Sequence, residues 1–255
     1  MNKLAKYILT LLLTVLASNP AFAVIYYSDN FESYPLFEGN PGDLGGGWLL
    51  YATVYGNYPG CTDYWYNYGG VYPAPNGYQI SNIVEGSTGK ALNVFSDYNN
   101  SNHGDGACIE TNIFQERVLS ETDTGYYTFR FETQVPMELG VNVNTFGFVK
   151  LLDPNTGYSL DLYDTVSTVT AGSKFIFVNL DTSAAGKILQ WGFTTTASNY
   201  QPSGRYYDNV TFAPQGSGAY EGDENSVPIP FWAYLAMAGL LVLVGGAKLR
   251  SRKES

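Results

Sequence analysis

Apolar and polar residues alternate with a period of two in segment after segment of this chain. The pattern runs through 90–96 (KALNVFS), 125–135 (GYYTFRFETQV), 174–180 (KFIFVNL), 188–194 (ILQWGFT) and 206–212 (YYDNVTF). Alternation of this kind sends one set of side chains inward and the other outward on a pleated strand. β-Branched and aromatic residues are dense in these segments, as strands prefer. The runs 145–152 and 158–163 flank Asp153-Pro154-Asn155-Thr156-Gly157, where Pro, Asn and Gly supply turn dihedrals, so the pair predicts a β-hairpin. The middle of the chain shows no helical period. About eight to eleven strands parted by Gly-, Asn- and Pro-rich turns predict an all-β fold, an antiparallel β-sandwich of jelly-roll type.

The two ends break this pattern. Lys3 and Lys6 precede an apolar run over 7–17, and Ala21-Phe22-Ala23 follows with small residues at the two positions a signal peptidase inspects. Residues 1–23 therefore read as a secretory signal helix, leaving a sandwich domain over 24–213. Residues 214–226 (PQGSGAYEGDENS) are polar, acidic and Gly-containing, as a flexible linker would be. Within the last segment, 227–255, nineteen residues from Ile229 to Ala247 carry no charge, and Lys248, Arg250, Arg252 and Lys253 follow. A run of about 20 apolar residues spans a bilayer core, so 229–247 predicts a transmembrane helix with its basic tail on the cytoplasmic side.

Charge narrows the partners. Between Val24 and Ser226 seven Lys or Arg face 22 Asp or Glu, a net formal charge of −15. Such a surface repels phosphate backbones, which argues against nucleic acid as a partner, and suits cations and solubility outside the cell. His103 is the single histidine, so a His-rich transition-metal site is excluded. The two cysteines, Cys61 and Cys108, both fall in the exported part, and an even pair in an oxidising compartment predicts a disulfide.

Two resemblances follow from short motifs. Val227-Pro228-Ile229-Pro230, one apolar run and an Arg-containing end together resemble the PEP-CTERM type of C-terminal sorting tag found in Gram-negative bacteria, although Ile229 stands where a glutamate is typical. The resemblance implies a sorting protease as partner and a cell-envelope or cell-surface location, with release to the extracellular matrix after cleavage. A permanent single-pass anchor is the alternative. Within the domain, Asp29-Asn30-Phe31-Glu32, Gly89-Lys90-Ala91-Leu92-Asn93-Val94 and Tyr207-Asp208-Asn209-Val210 resemble calcium-containing jelly-roll carbohydrate-binding modules. That resemblance implies a structural calcium held by Glu32 and Asp208, with Asp29 or Asn30 near, where the first and last strands lie side by side. Calcium takes six to eight hard oxygen ligands, so carboxylates on both strands fit it.

The stretch 55–78 holds seven tyrosines and Trp65 among glycines, prolines and asparagines, and its composition predicts a long loop. Aromatic rings stack on the apolar faces of sugars, which makes Tyr64, Trp65, Tyr66, Tyr68 and Tyr72 the candidate glycan platform. The competing reading packs these rings over the sandwich edge. Trp48 and Trp191 read as core. No E-x-D-x-E strand and no G-x-S-x-G elbow occurs in the sequence. The expected function is therefore non-catalytic binding of an extracellular polysaccharide. A structural cell-surface or biofilm-matrix protein is the alternative, and a polysaccharide-cleaving enzyme the third reading.

Overall fold

The computed structural model describes residues 25–36, 44–57, 60–70 and 80–215. The expected signal helix, linker, transmembrane segment and sorting tag lie outside the described residues, as does Tyr72. Within them the chain forms twelve strands: β1 (Tyr27–Asp29), β2 (Leu49–Gly56), β3 (Asp63–Gly70), β4 (Ser81–Glu85), β5 (Lys90–Val94), β6 (Cys108–Val118), β7 (Gly125–Gln134), β8 (Asn144–Asp153), β9 (Ser159–Ser167), β10 (Gly172–Leu180), β11 (Ile188–Ser198) and β12 (Arg205–Pro214). Their pairings are antiparallel and build two sheets of a sandwich. The first runs β10-β7-β12-β5-β4, with β1 also on β12, and the second runs β3-β2-β6-β11-β8-β9.

The expected hairpin is β8–β9, closed by a 3-10 turn over Pro154–Thr156 with Gly157 left-handed at its end. The first and last strands are neighbours, with Tyr27 opposite Phe212 and Asp29 opposite Val210. One expectation fails: 63–70 is a strand, not part of a long loop. Tyr64, Tyr66 and Tyr68 recur every second residue and pair with Tyr55, Val54 and Ala52, while the glycines that suggested a loop sit at the strand's end. Strand-favouring aromatics in alternation outweigh nearby glycine.

The core is aromatic. Phe193 of the second sheet stacks on Tyr207 of the first with centroids 3.7 Å apart, and Phe131 meets Phe193 edge-on at 4.9 Å. Gly147 faces that cluster, because the Phe131 ring fills the space a Cβ would need. Trp48 and Trp191 are buried, as expected. Cys61 and Cys108 form the disulfide, joining the residues ahead of β3 to the first residue of β6 across β2. Closing a 47-residue separation is worth about 4 kcal/mol in the chain-entropy model.

Candidate functional site

The outer face of the second sheet is where polar and aromatic side chains collect. Inward positions of β2 and β6 are apolar (Leu50, Ala52, Val54, Ile109, Ile113), so strand alternation turns Tyr51, Thr53, Tyr55, Glu110, Asn112 and Phe114 outward. The ladder sets Thr53 beside Glu110 and Tyr51 beside Asn112. It continues through Thr194 and Gln190 of β11 to Phe146 and Lys150 of β8, and ends at Tyr163 on β9. Two hollows of about 590 and 510 Å³ lie on this face and share Glu110. Tyr51, Lys150, Tyr158 and Tyr163 line the larger one; Tyr55, Cys61, Phe146 and Thr196 line the smaller. Together they form a groove crossing the strands.

The floor of the groove is held by its own hydrogen bonds. Thr194 Oγ1 donates to Asn112 Oδ1 at 2.7 Å, Asn112 Nδ2 donates to Glu110 Oε1 at 3.0 Å, and Gln190 Nε2 donates to Glu116 Oε2 at 2.7 Å. Phe114 and Phe148 flank Gly192 in the ladder, with rings 6.5 Å apart. The Lys150 ammonium lies over the Phe148 ring at 4.2 Å and near Tyr163 at 5.3 Å. Burial lowers the Lys150 pKa and the charge of Glu110 opposes that shift. Burial and then the Glu110 carboxylate push the Tyr163 phenol up to about 12, and the same two causes raise Tyr55. Glu110 is thus the electrostatic centre on which Tyr55, Tyr163 and Lys150 converge.

Of the five aromatic residues singled out in the sequence, the four described ones, Tyr64, Trp65, Tyr66 and Tyr68, do not share one surface. A bulge between the pairs Val54–Tyr66 and Tyr55–Tyr64 splits them. Tyr64 is exposed and meets Tyr55 edge-on at 6.4 Å, on the groove side. Trp65 folds onto the β2 edge, where its indole occupies the space a Cβ at Gly56 would take, and its Nε1 donates to Asp63 at 3.1 Å. Tyr66 and Tyr68 turn to the other face and brace the loop after β5. Tyr66 Oη accepts from Asn102 Nδ2 at 2.7 Å, and Tyr68 Oη donates to Asp97 at 2.6 Å. The sequence reading missed Tyr51, Glu110, Lys150 and Tyr163. Their signal was the outward register of β2, β6, β8 and β9, which pairing alone reveals.

His103 is fully buried in that loop, its Nε2 2.9 Å from Ser96 Oγ, while Ser96 Oγ donates to the Ile109 carbonyl at 2.8 Å. Burial pushes its pKa down to about 4, against a weaker opposing contact with the Asp97 backbone. A Ser–His pair without access to solvent braces the loop and offers a substrate no nucleophile.

The proposed calcium ligands separate into two groups. Asp29 points to the core, where it accepts from the Phe31 amide at 2.9 Å, Tyr27 Oη at 3.0 Å, Tyr34 Oη at 2.6 Å and Trp48 Nε1 at 3.1 Å. Four donors leave it little to offer an ion. Asn30 Oδ1 accepts from the Glu32 amide at 3.3 Å. Glu32 and Asp208 do approach each other across the turn between β4 and β5. Glu32 Oε1 accepts from the Lys90 amide at 2.7 Å, and its carboxylate fills the space above Gly89. Thr88 Oγ1 donates to Asp208 Oδ2 at 3.0 Å. Burial raises the Asp208 pKa, the Asn209 amide and Thr88 hydroxyl oppose this, and the charges of Glu132 and Glu32 add to the rise. Among the described residues no three His, Cys, Asp or Glu side chains converge closely enough to hold a metal ion as they stand. The fit is therefore partial: a desolvated carboxylate beside two like charges favours a cation, and further oxygens must complete the shell.

No protein-family model and no curated protein matches the chain. Solved structures similar to it include a xylan-binding domain of carbohydrate-binding module family 22, at 17% identity over 78% of this chain and 99% of that one, with a TM-score of 0.36. A family 22 xylan-binding domain from Paenibacillus barcinonensis aligns at 10% identity over 74% and 98%, with a TM-score of 0.37. A family 4 carbohydrate-binding module aligns at 15% identity over 54% and 77%, with a TM-score of 0.34. Likeness of this size assigns neither ligand nor residue roles to this chain.

Proposed function

We propose that this protein is a non-catalytic glycan-binding protein, and that the groove across the second sheet is its binding site. The observation that carries the reading is the composition of the groove. Half-exposed aromatic rings (Tyr51, Tyr55, Tyr163, with Tyr64 at the rim) flank a fixed set of donors and acceptors (Glu110, Asn112, Lys150, Gln190). Rings of this kind cover the apolar faces of a sugar, and the polar groups meet its hydroxyls. An open groove crossing the strands accommodates a chain rather than a compact molecule. Two-carboxylate glycoside hydrolysis asks for a pair of acids flanking the bond. The described residues lining the two hollows include one, Glu110.

Within the same proposal the sandwich is a jelly roll exported through the 1–23 signal and held at the envelope by 229–247. A calcium ion would be held by Glu32 and Asp208, with Thr88 and water completing its oxygens. It would neutralise the acidic turn and pin the first strand to the last.

Affinity electrophoresis of the protein against bacterial, algal and plant polysaccharides tests the reading. Retardation by one glycan, weakened in Tyr51→Ala and Tyr163→Ala variants that remain folded, supports the groove. Retardation that both variants leave intact moves the site elsewhere. A folded protein retarded by none of the panel counts against glycan binding.

A further inference from the structure

The face of the sandwich opposite the groove carries an aromatic patch that the packing does not use. Tyr26, Tyr126 and Phe177 are 61%, 63% and 65% exposed. Each sits beside residues that face the core: Ile25 and Tyr27, then Tyr127, then Ile176 and Val178. Strand alternation therefore turns Tyr126 and Phe177 outward from the first sheet, and Tyr26 is exposed just ahead of β1. Register makes two of them neighbours, because Phe177 lies opposite Thr128 and Asn179 opposite Tyr126, which puts Phe177 diagonal to Tyr126. Phe175 extends the patch, its ring stacked on Phe177 at 6.4 Å with the Arg130 guanidinium 5.6 Å above it. Large exposed apolar rings gathered on one face mark an interaction surface.

The exit of the chain indicates what covers it. The Gln215 amide donates to the Tyr126 carbonyl at 2.9 Å, so the last described residue leaves from the patch itself. Thirteen residues, 216–228, then lead to the uncharged run Ile229–Ala247. A random coil of thirteen residues has a root-mean-square reach of roughly 20 Å, shorter than a small domain is wide. A domain so tethered to a bilayer meets it at high effective concentration, and the face beside the exit is the one best placed to touch.

We propose that the outer face of the first sheet, centred on Tyr126 and Phe177, rests on the interfacial layer of the bilayer that holds 229–247. The amphipathic ring of Tyr126 favours that layer, the phenylalanines add apolar area, and the Arg130 guanidinium over Phe175 supplies a cation for lipid phosphates on the same face. The groove on the second sheet is then turned outward, away from the membrane. The proposal rests on reading 229–247 as a membrane span and is independent of which ligand the groove takes.

The test uses the full chain in phosphatidylcholine–phosphatidylglycerol vesicles, with a nitroxide on a Phe177→Cys variant and, as control, on a Thr165→Cys variant, Thr165 being a β9 residue that lines the smaller hollow. Vesicle flotation first establishes that the chain is membrane-bound. The expected result is that the label at 177 loses access to a water-soluble relaxing agent and gains access to a lipid-soluble one, while the label at 165 stays open to water. Equal access to water at both positions overturns the proposal. Spin–spin broadening at 177, the sign of a second copy on the patch, also overturns it, and so does failure to float. Glycan retardation of the Phe177→Cys variant reports separately on the groove.

Discussion

The Lys150 ammonium sits 4.2 Å from the centre of the Phe148 ring, and among the described residues no oxygen accepts a hydrogen bond from it. Ring faces and the nearby Glu110 charge are its company. A half-buried cation held this way is costly to the fold and useful to a ligand that brings an acceptor. Two opposite effects are therefore expected of Lys150→Met. Folding stability should be unchanged or rise by about 1 kcal/mol, since a buried charge is replaced by an apolar chain of similar length. Affinity for the retained glycan should fall by about 1.5–3 kcal/mol, the worth of a hydrogen bond to a charged group. The wild-type affinity should also decline with rising pH before the ordinary lysine range is reached, because burial lowers the Lys150 pKa. Urea titration and calorimetric titration measure the two signs. A variant that loses stability and keeps affinity would contradict the assignment.

Aromatic truncations should separate the groove from the β3 edge. Tyr51→Ala and Tyr163→Ala are expected to cost about 1–2 kcal/mol of glycan affinity each, as truncated anchors do. Trp65→Ala should leave affinity nearly unchanged, because its indole lies on Gly56 at the edge, away from the groove. Equal losses in all three would return the binding role to the tyrosine-rich segment.

His103 makes stability depend on pH in one direction. Its folded pKa of about 4 lies below the ordinary 6.5, so between these values the unfolded chain binds the proton more readily. The contribution is fully present above pH 6.5, falls as pH drops through the interval, and is lost below pH 4. It amounts to roughly 3 kcal/mol at most. Denaturation midpoints measured from pH 7 to pH 4 should drop more steeply in the wild type than in His103→Gln. Parallel slopes would mean that other groups set the acid limit.

Asp208 offers a test of the calcium proposal that does not involve the glycan. Its folded pKa is raised, so keeping it ionised destabilises the ion-free domain, progressively as pH rises through that raised value. Asp208→Asn should therefore raise the melting temperature in chelator at neutral pH and abolish any further rise on adding calcium. Wild-type protein should show the reverse, a low value in chelator and a clear increase with calcium. Identical melting curves with and without the ion, in wild type, would remove calcium from the account.

The strands of the core were legible because each carries its own alternation. KFIFVNL and ILQWGFT announce one buried face without reference to any neighbour, and β10 and β11 form where these runs stand. The hairpin at Pro154–Thr156 was legible for the same local reason, since Pro, Asn and Gly fix the turn. β3 was not, because its glycines argued for a loop and only its partner β2 reveals which tyrosines share a face. The groove was the least legible element. Tyr51, Glu110, Lys150 and Tyr163 lie far apart in the chain and carry no common motif. Their convergence is a property of the ladder order β2-β6-β11-β8-β9.

The bridge between Cys61 and Cys108 has a consequence for how the protein can be made. β3 is the outermost strand of its sheet, and it carries Tyr64, Trp65, Tyr66 and Tyr68. An outer strand that peels away presents unpaired amides and a row of sticky rings, a template for joining chain to chain. The disulfide fastens the start of that strand across β2 to β6, so peeling must begin from the far end. A chain retained in a reducing compartment lacks the fastening while its edge is still assembling. Chains that fold before this bridge closes are therefore the ones expected to clump.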